Sequence, residues 1–522
     1  MGYVLHIVLA LAAVIASEQG LGTGRELPWA VLVPLAVPHT LAWIDRKLFL
    51  RGRFRLAGVV YASIGASATA LYAALLLACG WSQSVARWTG TPARAIEWPE
   101  PSALLVFAPF VVYTLVAIDA RVRIGGARDH EAARQRRFQV RLFLSSVAPF
   151  AVLVVASWAI GIDETVRAHV EHVQLWGGAF AAALILATML LLPTLLRRTW
   201  DTQPIPPGPR RELLTEFARR IGFRCRELVQ WNTGFQMSNA AVVGIGASRV
   251  VLFSDLLLAQ LPERELLAVF AHEIGHVVRH HVVVFVAWSI ALFLGVELSV
   301  RELGVESEWV ATATLAAALV AWYFAFGWYS RRVELEADLH SVATTGDVEA
   351  MVAALERVGG PHSQERGSWR HFSTSRRVEF LLEAVQDPRG GRRLVRQLRW
   401  IGRLGLVLSA IAIAAQTWSL WKSLPADRVT VELALGRYET ALERSREVEG
   451  LDEETFVLVQ RAAAIDAARR EPGQLREAAE LARDAGRDAE ALDLYYLATL
   501  RGERGLDGEI EALESRLRTG SR

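Results

Sequence analysis

Cysteine is almost absent: Cys79 and Cys225 are the only two in 522 residues. That excludes a disulfide-framed secreted domain, and with no metal-ligand neighbour both thiols read as small hydrophobes. Charge is scarce as well, with 21% charged against 52% hydrophobic residues, a net charge of +2 and a mean hydropathy of +0.26. This chain is too apolar for an ordinary soluble enzyme and carries no basic excess of the kind nucleic acid requires. No Lys or Arg precedes the first apolar run, residues 3–17, so the basic region that opens a secretory signal is missing. Ionisable residues are few inside the long apolar runs, His6 and His39 apart, which argues against a transporter.

What is present is a series of apolar runs long enough for membrane helices, each needing roughly 20 residues. Spans are predicted at residues 3–17, 28–44, 56–79, 102–119, 142–161, 174–196, 282–300, 309–329 and 401–421. Basic residues cluster in short loops beside them: Arg46, Lys47, Arg51, Arg53 and Arg55 after the second, Arg121, Arg123, Arg128, Arg134, Arg136 and Arg137 after the fourth. Such loops stay in the cytoplasm, which puts residues 197–281 inside as well.

Four regions follow. Residues 1–196 form an N-terminal membrane region, and the Pro-rich stretch 201–209 (DTQPIPPGP) opens a domain over 197–400 that includes a membrane hairpin at 282–329. Within it, Arg211–Ile221 reads as an amphipathic helix, residues 239–254 as a β-hairpin, and Pro262 with Glu263 and Glu265 as the start of a further helix. The last span, 401–421, leads to a polar, helix-prone tail over 424–522. There Gly436-Arg437 and Gly486-Arg487, each followed three residues later by Ala-Leu, are similar to tetratricopeptide units, which implies a protein partner for the tail.

The chemistry lies in His272-Glu273-Ile274-Gly275-His276. On a helix, residues four apart sit about 40° apart in angle and roughly 6 Å along the axis, so both imidazoles reach one zinc ion. Glu273 then stands beside the metal as a general base for water. A catalytic zinc site needs a third protein ligand and an open position. Glu334 is the candidate: His276 precedes one arm of the membrane hairpin by six residues and Glu334 follows the other by five, which returns both to one face. Asp338, one turn further, is suited to orient a ligand histidine through its second ring nitrogen. Glu336, about 200° from Glu334, is expected to face elsewhere, so that Glu336→Gln changes little. His280 and His281 read as residues of the membrane boundary.

These residues resemble the integral-membrane gluzincin metalloproteases of the CAAX prenyl protease and HtpX type. The likeness covers 210–385 and rests on Asn239-Ala240, the hairpin at 244–248, Ser254-Asp255, HEIGH at 272–276, SRRVELEAD at 330–338, and His371 with Arg377-Val378. It implies a mainly α membrane protein, a multi-span bundle around a small α+β catalytic domain, and a Zn²⁺-dependent endopeptidase of a bacterial inner membrane with its active site on the cytoplasmic side. Its substrates would be membrane or membrane-associated proteins, in quality control rather than prenyl-protein maturation. It also implies that Asn239 and Ala240 form a strand edge for substrate and that His371 or Arg331 steadies an oxyanion. Phe372 departs from the family's Pro after the histidine. The competing reading is a non-catalytic membrane scaffold that recruits partners through its tail, against which the intact Glu273 argues.

Overall fold

A computed structural model describes residues 2–18, 27–90, 101–124, 129–304, 307–365, 367–448, 451–470, 474–484, 487–500 and 505–520. Gly486 lies outside them. Among the described residues, six helices are long and apolar enough to cross a membrane, or seven if the pair Glu164–His172 and Gln174–Thr188, bent by 99°, counts as one span. The protein is therefore a mainly α membrane protein. The chain divides into two compact units, one formed by residues 1–159 and 183–416, the other by 160–182 and 417–522.

In the first unit, the apolar runs at 56–79, 102–119 and 142–161 lie in helices Phe54–Cys79, Pro101–Ile124 and Asp129–Gly161. The run at 3–17 is the shorter helix Gly2–Glu18. Residues 28–44 depart from the single span expected there: they form a 3₁₀ helix, Pro28–Ala36, followed by the α-helix Val37–Leu50. Pro28, Pro34 and Pro38 explain this, because each removes a backbone donor and an interior proline breaks the i→i−4 ladder. The helices close around an aromatic core of Tyr72, Phe107, Phe110 and Phe143, in which the Tyr72 hydroxyl donates to the Val106 carbonyl at 3.1 Å.

Residues 202–254 contribute a four-stranded sheet in the order β1 (Thr202–Pro204), β2 (Glu227–Trp231), β4 (Val250–Ser254) and β3 (Ala240–Val243). The β2–β4 pair is parallel and the other two are antiparallel, with Ala240 opposite Phe253 and Val243 opposite Val250. The expected hairpin at 239–254 is thus present, and β3 is an edge strand. Helices Pro209–Arg220 and Glu263–Val278 pack on this sheet through Leu214, Phe217, Phe253, Leu266, Phe270 and Ile274. The second of these, the motif helix, starts at Pro262 with Glu263 and Glu265 in its first turn, where acids suit the helix dipole.

The hairpin expected to cross the membrane corresponds to the helices His281–Glu302 and Glu308–Thr345, each of which contributes to a candidate span. The returning helix is 38 residues long without interruption, so one rod carries both the apolar span and the acidic segment beyond it. Helices Val348–Glu365, Thr374–Gln386 and the 47-residue Pro388–Ala434 follow.

The second unit takes up the end of that last helix and continues with helices from Tyr438 to Gly520. Gly436, at φ +69°, makes the turn before Tyr438–Glu447, a backbone conformation that costs glycine little. Leu475, Ala479, Ala491, Leu494 and Tyr495 form the largest of its apolar clusters.

Candidate metal centre

The motif helix fixes the site through its two faces. Leu266, Phe270 and Ile274, four residues apart, enter the sheet core and are buried. His272 and His276 are half a turn round and face the returning helix. Gly275 makes that approach possible: a Cβ there would meet the Ala337 Cα and the His340 side chain at 3.2 Å. Two further bonds fix the helix, from Ser341 Oγ to the Ala268 carbonyl at 2.7 Å and from Arg357 to the buried Glu265 at 2.8 and 3.0 Å.

Against this frame, the Nε2 atoms of His272 and His276 lie 3.2 Å apart, and the Glu334 carboxylate oxygens lie 3.6 and 3.7 Å from them. His272, His276 and Glu334 thus present one donor atom each in a tight cluster suited to a metal ion. Ligand bonds of 2.0–2.1 Å in tetrahedral array put donor atoms about 3.3 Å apart, so the triangle fits a small divalent cation with little adjustment.

Asp338 Oδ1 lies 2.8 Å from Nδ1 of His272, the position from which it fixes the ring and leaves Nε2 for a metal. Asp338 is fully buried, and its charge is met by Arg377, whose Nε and Nη2 donate at 2.8 and 2.6 Å. This two-pronged pair is the strong form of an ion pair. Arg377 Nη2 also lies 3.6 Å from Glu334. The sequence singled out Arg377 only as part of a likeness; its partner lies 39 positions away in another helix.

Burial pushes the Glu273 carboxyl up to about 7; a charge on His272 opposes that shift and Glu334 adds to it. Burial works against a charge on His272, yet the Asp338 and Glu334 carboxylates outweigh it and raise the imidazole to about 10. Burial and the charge on His272 lower His276 to about 3. For Glu334 burial is again the largest influence, but His272 and His371 hold it well below the usual carboxylate range.

Two expectations are corrected here. His281 is not a surface residue of the membrane boundary: it is 2% exposed, with Nδ1 2.8 Å from Nδ1 of His276. Glu336 does not face an uninvolved side. It is buried, its Oε2 lies 3.1 Å from Nε2 of His281, and Arg279 lies 3.5 Å from its other oxygen. The cause is a break between the motif helix and the first hairpin helix. His280 adopts φ 55°, a left-handed conformation unusual for a residue with a Cβ, and the new helix starts with His281 turned back onto His276. His280 itself is exposed.

His371 sits at the rim, 46% exposed, with Nδ1 3.3 Å from Glu334 Oε2. Its loop is clamped to the returning helix by Trp369, which stacks on Tyr323 at 4.5 Å and Phe326 at 5.3 Å and donates to the Tyr323 carbonyl at 3.0 Å. Gly327 makes room, since a Cβ there would come within 2.4 Å of the Trp369 ring nitrogen. Arg331 is engaged with this loop, donating to the Trp369 carbonyl at 3.1 Å. Asn239 immediately precedes β3; its backbone N–H donates to Ser254 Oγ and its carbonyl accepts from Ser254 N–H, both at 2.9 Å.

A model of peptidase family M48 matches residues 208–385. A CAAX prenyl protease 1 homolog of Oryza sativa subsp. japonica is 33% identical over 127 residues, 23% of this chain and 29% of the relative, so the chain spans under a third of that protein. A Protease HtpX homolog of Bordetella petrii is 28% identical over 263 residues, covering 42% of this chain and 84% of the relative. The crystal structure of S. mikatae Ste24p aligns with 68% of this chain and 99% of its own, at 14% identity and a TM-score of 0.39.

Proposed function

We propose that this chain is a zinc-dependent endopeptidase cleaving membrane or membrane-proximal proteins, a reading supported by the match of residues 208–385 to the peptidase family M48 model and by the likeness to proteases of the CAAX prenyl protease and HtpX types. The observation that carries the proposal is the convergence of His272, His276 and Glu334 donor atoms beside Glu273, a carboxyl raised to about 7. A zinc ion held by those three residues would supply a Lewis acid and a water acidic enough to ionise near neutral pH.

Glu273 accepts a proton from the attacking water and returns it to the departing amine, a task for which a base near 7 is well matched. Asp338 and Arg377 keep His272 in one orientation. His371, exposed beside Glu334, donates to the developing oxyanion; the edge strand β3, entered through Asn239 and Ala240, takes the substrate backbone as an added strand. The arginine-rich loops support a cytoplasmic active site in a bacterial inner membrane.

Glu273→Gln keeps the side-chain shape and removes its basicity. It is expected to bind about one zinc per chain like the wild type while losing cleavage of a membrane-protein reporter by several orders of magnitude. Undiminished cleavage would overturn the mechanism, and full zinc occupancy in both His276→Ala and Glu334→Ala would overturn the ligand assignment.

A further inference from the structure

Glu336 also lines a cavity of about 590 Å³ that opens between the end of the motif helix, the returning helix and the helix Pro388–Ala434. Its outer wall carries Arg392, Arg396, Arg399 and Arg403, at intervals of four, three and four residues, which puts them on one face of that helix. All four are exposed, and among the described residues none of them pairs with a carboxylate. The only acid in the lining is Glu336, already held by His281 and Arg279. The cavity therefore has an excess of guanidinium groups and no internal anion to meet them.

Its position says which anions reach it. Lipid-type surface begins at its edge on both sides: Val282 and Val283 are 65% and 51% exposed just after Arg279, and Trp400, Leu404 and Val407 are 65%, 49% and 55% exposed alongside the arginines. An aromatic side chain and a row of arginines at the start of an apolar run mark the headgroup level of a bilayer. Topology alone accounts for arginines beside a span, but it requires neither a cavity nor their arrangement around one.

We propose that this cavity binds the phosphate group of an anionic phospholipid, with the guanidinium fork of the arginines on the phosphate oxygens and the acyl chains lying along the exposed apolar residues. Arg389 and Arg393 provide the internal control, being exposed on the same helix yet outside the cavity.

The full chain in detergent is titrated with phosphatidylglycerol or phosphatidylcholine, and retained lipid is counted by native mass spectrometry. One phosphatidylglycerol is expected to stay bound in preference to phosphatidylcholine. Arg396→Gln/Arg399→Gln/Arg403→Gln is expected to weaken that binding about tenfold or more, whereas Arg389→Gln/Arg393→Gln changes it less than about twofold. Thermal unfolding of both variants reports folding, and the lipid comparison on the wild type stands without any variant. Equal retention of both lipids, or equal losses in the two variants, would overturn the site. Displacement by inorganic phosphate at the concentration of the lipid would show a phosphate site with no role for the acyl chains, and displacement only by an acidic peptide would show a peptide site; either result sinks the lipid proposal.

Discussion

His276 is held from behind by a histidine five positions further on, and that contact exists because one residue, His280, leaves the right-handed helical region. The periodicity that made His272, Glu273 and His276 legible assumes an unbroken helix, and it holds as far as Val278. Past the break it gives the wrong phase, which is why His281 and Glu336 were unreadable: the angle of Glu336 from Glu334 was right, but the face it reached was occupied by a residue swung into place by the kink. Glu336 holds His281, which in turn meets the ligand His276, so Glu336→Gln is expected to weaken zinc binding by about tenfold, the low end of what loss of a direct orienter of a ligand histidine costs. Chelator competition measures it, with thermal unfolding alongside, and an affinity within twofold of wild type would remove Glu336 from the centre. Glu273 sets a second expectation. It must be ionised to accept a proton, and its carboxyl is raised to about 7 by burial, so cleavage should fall as pH is lowered through about 7. A pH–rate profile that stays flat down to pH 5 would contradict this.

At the scale of elements, the helices and the membrane hairpin were legible because long apolar runs leave little choice of structure in lipid. The 3₁₀ segment Pro28–Ala36 was not, because hydropathy registers its apolar side chains and overlooks the missing amide donors of its prolines. The seating of the loop that carries His371 was equally hidden, since it depends on Trp369 meeting a glycine 42 positions earlier in a membrane helix. Gly327→Ala puts a methyl group into the Trp369 ring. The loop is expected to shift, with destabilisation of about 1–3 kcal/mol and a lower cleavage rate at unchanged zinc content. Melting temperature, metal analysis and reporter cleavage together test this; a variant as active as the wild type would show that the clamp does not position His371.

For the whole molecule, one apolar run, residues 401–421, stands between Ser368 and Ser445 in the sequence. A single crossing puts those two positions on opposite sides of the membrane, whatever the count of spans before residue 282. In a background lacking Cys79 and Cys225, a cysteine at the exposed Glu447, two residues past the buried Ser445, should react with an impermeant reagent in intact cells and one at the exposed Ser368 should not; equal labelling would refute the arrangement. The returning helix adds a constraint of another kind. Because Glu308–Thr345 is a single rod, the height of Glu334 above the last lipid-exposed side chain, Trp328, is fixed by six residues of helical rise, about 9 Å. An extended polypeptide covers that height in about three residues. In the proposed protease the helix would act as a ruler: among the bonds of a membrane-anchored substrate, those a few residues out from the bilayer would be the ones within reach, so that position relative to the membrane would select the cleavage site before any side chain is read.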